Sequence, residues 1–121
     1  MATILIIEDD SSQRLALQRA LENAGYKVLA AADGSAGIQL ARTSSPDLII
    51  CDIEMPGLNG FQTLEALRAD ERTKELPFVF LTGNSDAMAG KMGRDLGAEE
   101  FIEKPFSFSK LLAVVTTRLN K

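Results

Sequence analysis

Four polar clusters in this 121-residue chain carry side chains able to do chemistry: Glu8-Asp9-Asp10, Asp52-Ile53-Glu54-Met55-Pro56-Gly57, Thr82-Gly83 and Lys104-Pro105-Phe106. Each follows a short apolar run. Taken singly, each has a bland reading. An acid that opens a helix is favoured by N-capping, so Asp9 or Asp10 alone reads as a cap. Asp52 alone starts a Pro-Gly turn, Thr82 alone caps a helix, and Lys104 alone is a solvated loop charge. Together they put carboxylates, a hydroxyl and an ammonium where one site could use them. Crowded carboxylates raise each other's pKa unless a cation neutralises them. Glu8, Asp9 and Asp52 carry three negative charges against the one positive charge of Lys104, and Mg2+ would bring the sum to zero. Magnesium takes one or two carboxylates directly and leaves room for phosphate oxygens. A carboxylate beside it can act as a nucleophile toward phosphorus, with Lys104 and Thr82 holding phosphoryl oxygens.

Composition excludes other chemistries. The chain has no His, which removes imidazole bases, His-containing triads, zinc-binding histidines and a phosphohistidine of its own. A net charge of −4 offers no basic stripe for nucleic acid or an anionic membrane. No apolar run approaches the length of a membrane span, and the start lacks the regions of a signal peptide. The lone Cys51 cannot form an internal disulfide and reads as a small buried hydrophobe. The expected location is the cytoplasm.

The elements that must position these clusters are legible in the hydropathy. Ile4–Ile7, Val28–Ala31, Leu48–Cys51, Phe78–Leu81 and Ala98–Ile102 are apolar runs, the last interrupted by two Glu. Continuous rather than alternating runs suit parallel strands covered on both faces. Helical stripes lie between them: Leu17, Ala20, Leu21 and Ala24 within about Ser11–Ala24; Gly37, Ile38 and Ala41 within Gly34–Thr43; Phe61, Leu64 and Leu67 within Gly60–Ala69; and Leu111, Leu112, Val115 and Leu119 within Ser107–Leu119. A fourth helix is expected over about 85–96. It holds Gly90 and Gly93, each costing about 1 kcal/mol relative to Ala. Strands alternating with helices give repeated βαβ units and an α/β sandwich with helices on both faces. In such sheets ligands bind beyond the carboxyl ends of the strands, where the four clusters fall. Residues 1–121 read as one domain, with no room for an output domain in these residues.

In order and spacing, Ile-Ile-Glu8-Asp9-Asp10, Ile-Cys-Asp52-Ile-Glu-Met-Pro56-Gly57-Leu-Asn-Gly60, Leu-Thr82-Gly and Lys104-Pro105-Phe106 resemble the receiver domain of two-component response regulators. The resemblance implies a doubly wound five-stranded parallel sheet of flavodoxin-like order 2-1-3-4-5. It implies Asp52 as phosphoacceptor, taking a phosphoryl group from the phosphohistidine of a partner histidine kinase or phosphotransfer protein. Mg2+ would be held by Asp9, Asp52 and the backbone carbonyl of Glu54, with Glu8 reaching it through water. Thr82 and Lys104 would engage the phosphoryl group, and Phe101 stands at the family's switch aromatic. The Lys104-Pro105 bond would be cis. Phosphorylation would alter the surface of the fourth helix, fifth strand and fifth helix, and so binding of an effector protein or output domain. Slow autodephosphorylation and phosphorylation by small donors are expected, without turnover of an external substrate. Glu54, two residues past the acceptor, would influence the phosphoryl lifetime.

Other readings fit less well. A phosphorylation-independent interaction module would tend to lose some of the acid pair, Asp52, Thr82 or Lys104. A phosphohydrolase of the haloacid dehalogenase type would carry its acidic pair late in the chain, and a flavodoxin-like cofactor binder has little support. Gly90-Lys91 resembles a P-loop, but Ser85 and Met92 break the pattern.

Overall fold

The computed structural model describes residues 2–83, 98 and 100–119. The fourth helix expected over 85–96 lies outside them.

Strands β1 (Thr3–Ile7), β2 (Lys27–Ala31), β3 (Leu48–Asp52), β4 (Phe78–Thr82) and β5 (Glu100–Glu103) form one parallel sheet in the order β2-β1-β3-β4-β5. Among the described residues the helices are α1 (Ser11–Asn23), α2 (Gly34–Ser44), α3 (Gly60–Arg68) and α4 (Phe108–Leu119). α4 is the fifth helix of the sequence reading. None of them is long and apolar enough to cross a membrane.

The strands are apolar throughout because each has two faces to bury. Alternate residues separate into two cores. Leu5, Ile7, Ile49, Cys51, Phe78 and Phe80 pack with Ile38 and Ala41 of α2 and Leu64 and Leu67 of α3. Ile4, Ile6, Leu48, Ile50, Val79, Leu81 and Ile102 pack with Leu17 and Leu21 of α1 and Leu111 and Val115 of α4. The central strands β3 and β4 are buried along their whole length, whereas Lys27 of the edge strand β2 is exposed. Phe80 stands edge-on to Phe61 and Phe78, at centroid distances of 5.1 and 4.9 Å, and Phe101 lies tilted against it at 5.2 Å.

Helix ends follow local chemistry. Asp10, Asp33 and Asn59 each accept an N–H from three residues on, and Asn59 with Gln62 makes a reciprocal capping box. Ser107 Oγ accepts from the Lys110 N–H at 3.1 Å. Two stripe assignments need correction. Ala24 is exposed because it forms the C-cap of α1 ahead of Gly25, and Ala20 is only half-buried, so α1 is anchored by Leu17 and Leu21.

Candidate functional site

The carboxyl edge of the sheet is built by extending two strands one residue each. The Glu8 N–H donates to the Ala31 carbonyl at 3.0 Å, and the Lys104 N–H donates to the Thr82 carbonyl at 2.6 Å. Both residues are thereby held in the ladder. Strand alternation then sorts the functional side chains. Glu8, Asp52 and Lys104 continue the register of Ile6, Ile50 and Ile102, the face covered by α1 and α4. Thr82 and Phe101 follow the opposite register, that of Phe80 and the α2–α3 face.

Glu8, Asp9 and Asp52 each bring a carboxylate oxygen to within 4.8 Å of the others. Asp10, the third acid of the run, is spent as the α1 cap, its Oδ1 accepting the Gln13 N–H at 2.9 Å. Arg14 fixes the preceding peptides by donating from Nη1 to the carbonyls of Glu8 at 2.9 Å and Asp9 at 3.4 Å. Asp9 is exposed, whereas Glu8 is 1% and Asp52 7% exposed.

The acceptor loop is tied down behind Asp52. The Ile53 N–H donates to the Leu81 carbonyl at 3.1 Å, and the Gly60 N–H to the Ile53 carbonyl at 2.8 Å. Gly57 turns the chain with φ of +74°, a conformation costly for any residue with a Cβ. Gly60 is required by proximity, since a Cβ there would stand 2.6 Å from the Asp52 carbonyl oxygen and 2.8 Å from Ile53 Cα. The Glu54 N–H lies 3.4 Å from Asp52 Oδ1 as a long hydrogen bond, while the rest of Glu54 is exposed.

Lys104 closes the cluster. Its Nζ donates to Gln13 Oε1 at 2.6 Å and to Asp52 Oδ2 at 3.2 Å, and lies 3.5 Å from Glu8 Oε2. The Lys104-Pro105 peptide bond is cis. Thr82, 7% exposed, ends β4 beside the cluster, so the expected residues of all four clusters meet at one edge.

The electrostatics of this edge suit a cation. Burial, then the proton-sharing contact with Asp52 and the Asp52 charge, raise the Glu8 carboxyl from 4.5 to about 7, against the opposing pull of Lys104 and of the Asp10 amide. Glu8 Oε2 is buried and accepts no hydrogen bond. A buried carboxylate oxygen that makes no hydrogen bond and has only the Lys104 ammonium 3.5 Å away, among three acids, fits a hard, oxygen-seeking divalent ion of the magnesium kind. The same burial, with the charges of Asp52 and Glu8, pushes the neighbouring Cys51 thiol up and leaves it inert. Nothing in the sequence singles out Gln13 and Arg14, because both look like ordinary polar residues in the first turns of a helix.

The sequence profile of the response regulator receiver domain matches residues 4–116. The chain is 36% identical over 119 residues to protein PilH of Pseudomonas aeruginosa, covering 98% of each. It is 38% identical over 105 residues to the transcriptional regulatory protein AfsQ1 of Streptomyces coelicolor, covering 87% of this chain and 45% of that protein. It thus spans about half the length of that transcriptional regulator and nearly all of PilH. Among solved structures, the chemotaxis protein CheY4 of Vibrio cholerae superposes with a TM-score of 0.94 at 33% identity, covering 98% of this chain and 99% of that one.

Proposed function

The chain belongs to the response regulator receiver domain family, and from that premise we propose that Asp52 is the phosphoacceptor of a Mg2+-dependent switch. Receivers of this family act as phosphoryl-accepting switches, bind Mg2+ in an acidic pocket and work with histidine kinases and output domains. The observation that carries the assignment is the placement of Asp52: a buried carboxylate at the end of the central strand β3, with one oxygen 3.2 Å from an ammonium and two further acids beside it.

In transfer from phosphohistidine, an Asp52 carboxylate oxygen forms a bond to phosphorus as the P–N bond of the donor breaks. The electron pair stays on the imidazole, which leaves as the neutral ring if its other nitrogen is already protonated. Because this chain has no His, the donor is a partner histidine kinase, a phosphotransfer protein or a small phosphorylated molecule. Lys104 donates to a phosphoryl oxygen from its position over Asp52, and the Thr82 hydroxyl engages another. Glu8, Asp9, Asp52 and the Glu54 carbonyl are the groups that would hold Mg2+, which supplies positive charge against the carboxylates and the phosphoryl oxygens.

Thr82 and Phe101 share the register of the α2–α3 face, and Phe101 rests on Phe80 two residues before Thr82. A Thr82 drawn toward the phosphoryl group alters the packing beneath Phe101. This biases a two-state equilibrium read at β5, α4 and the segment between β4 and β5 by an effector protein or output domain. The protein turns over no external substrate, and its phosphorylated state decays by hydrolysis. Beryllium fluoride with Mg2+ tests the switch: amide NMR signals of Thr82, Phe101 and α4 are expected to shift, and a spectrum unmoved by saturating beryllium fluoride refutes it.

A further inference from the structure

We infer that Gln13 is a positioning residue for phosphoryl transfer, holding the Lys104 ammonium over Asp52; the inference rests on the receiver reading given above. Lys104 Nζ donates two hydrogen bonds, to Gln13 Oε1 at 2.6 Å and Asp52 Oδ2 at 3.2 Å, and is ion-paired with Glu8 Oε2 at 3.5 Å. The shortest of these contacts is the one outside the acid cluster. The two carboxylates draw the ammonium inward, and Gln13 holds it from the first turn of α1, across a separation of 91 residues in sequence.

Gln13 is itself well placed to bear that pull. Its backbone N–H is capped by Asp10, and the next residue, Arg14, binds the carbonyls of Glu8 and Asp9. Hydrogen bonds therefore tie the acidic loop, the start of α1 and Lys104 to one another. Residue type matters too. A neutral amide oxygen holds an ammonium without adding a fourth negative charge to Glu8, Asp9 and Asp52, which an anionic phosphoryl group must approach. Ala would leave one ammonium proton to solvent and return the long, flexible lysine to its other rotamers.

The test measures both the ammonium and the reaction. In Gln13→Ala, the rate of Asp52 phosphorylation by acetyl phosphate with Mg2+ is expected to fall about fivefold, as loss of one partly exposed hydrogen bond to a charged group predicts. The 15N-detected Nζ signal of Lys104, visible in the parent protein while its protons are held, is expected to broaden away. Gln13→Glu, which retains an acceptor, restores the signal. Gln18→Ala, on the same helix and bonded only to Glu22 in the described structure, is the fold control and leaves both readouts as they were. An unchanged rate, or a surviving Nζ signal, in Gln13→Ala overturns the inference while leaving the receiver reading intact. A parent protein that is not phosphorylated at all overturns that reading, and this inference with it.

Discussion

Replacing Glu8 by Gln separates what the buried acid costs from what it does. In the absence of a bound cation the folded chain keeps the Glu8 proton up to about pH 7, whereas an unperturbed Glu loses it near 4.5. The folded state thus binds more protons than the unfolded state between those values. Stability from this group falls as pH rises through that window and stays low above it. At 1.36 kcal/mol per pKa unit the ionised carboxylate costs about 3 kcal/mol at pH 8. A buried amide that must find new partners returns about 1 kcal/mol of that, so Glu8→Gln is expected to be about 2 kcal/mol more stable than the parent at pH 8 with EDTA. For a chain of 121 residues, an unfolding entropy of about 0.25 kcal/mol/K turns this into a Tm increase of about 8 °C. At pH 5 the two proteins are expected to melt within about 2 °C of each other, since Glu8 is then protonated and nearly isosteric with Gln. Millimolar Mg2+ at pH 8 reverses the order, because binding to the native state stabilises the parent and an amide brings no charge to the site. Melts followed by circular dichroism at the two pH values, with EDTA and with Mg2+, give all four comparisons. A variant that melts at or below the parent at pH 8 in EDTA, with an equal gain from Mg2+, refutes this account of Glu8.

Four further substitutions probe the scaffold. Gly60→Ala puts a Cβ 2.6 Å from the Asp52 carbonyl oxygen and 2.8 Å from Ile53 Cα. Backbone atoms cannot yield as a side chain can, so denaturant unfolding should show a loss of about 2–3 kcal/mol together with slower phosphorylation. Asn59→Ala removes both halves of the α3 capping box and should cost about 1 kcal/mol by the same assay. Arg72, with Arg42, holds the Asp70 carboxyl at about 2. Asp70→Asn should therefore lower Tm at neutral pH, with the difference from the parent vanishing as pH falls through about 2, where Asp70 is protonated as well. Glu54→Ala takes a negative charge from the exposed side of the acceptor and should change the dephosphorylation rate measured by loss of 32P label.

Much of this fold was legible because a parallel sheet leaves a strong imprint: Leu48–Cys51 and Phe78–Leu81 are apolar without alternation since each strand is covered twice. The strand order was not in that imprint. It came from the resemblance, as periodicity does not say which strands are neighbours. Helix stripes marked the buried face, Phe61 against Phe80 included, but overreached at Ala24, where the C-cap turns the chain away, and at the half-buried Ala20. The four clusters could be assigned to one edge because every one follows a strand. Their division between two faces, with Glu8, Asp52 and Lys104 on one and Thr82 and Phe101 on the other, is a parity count that needs the strand ends, and these emerge only with the ladder. Gln13 was invisible, since nothing local marks a surface glutamine whose partner lies 91 residues away. The same holds for Glu8 Oε2, whose burial without a hydrogen bond depends on three-dimensional neighbours.

The central claim is that Asp52 accepts a phosphoryl group, and intact-mass spectrometry tests it most directly. After incubation with acetyl phosphate and Mg2+, the chain is predicted to gain the mass of one phosphoryl group, labile to alkali and to hydroxylamine as an acyl phosphate is. The gain should disappear in Asp52→Asn and when EDTA replaces Mg2+. A chain that gains no mass, or that gains it equally in Asp52→Asn, contradicts the account.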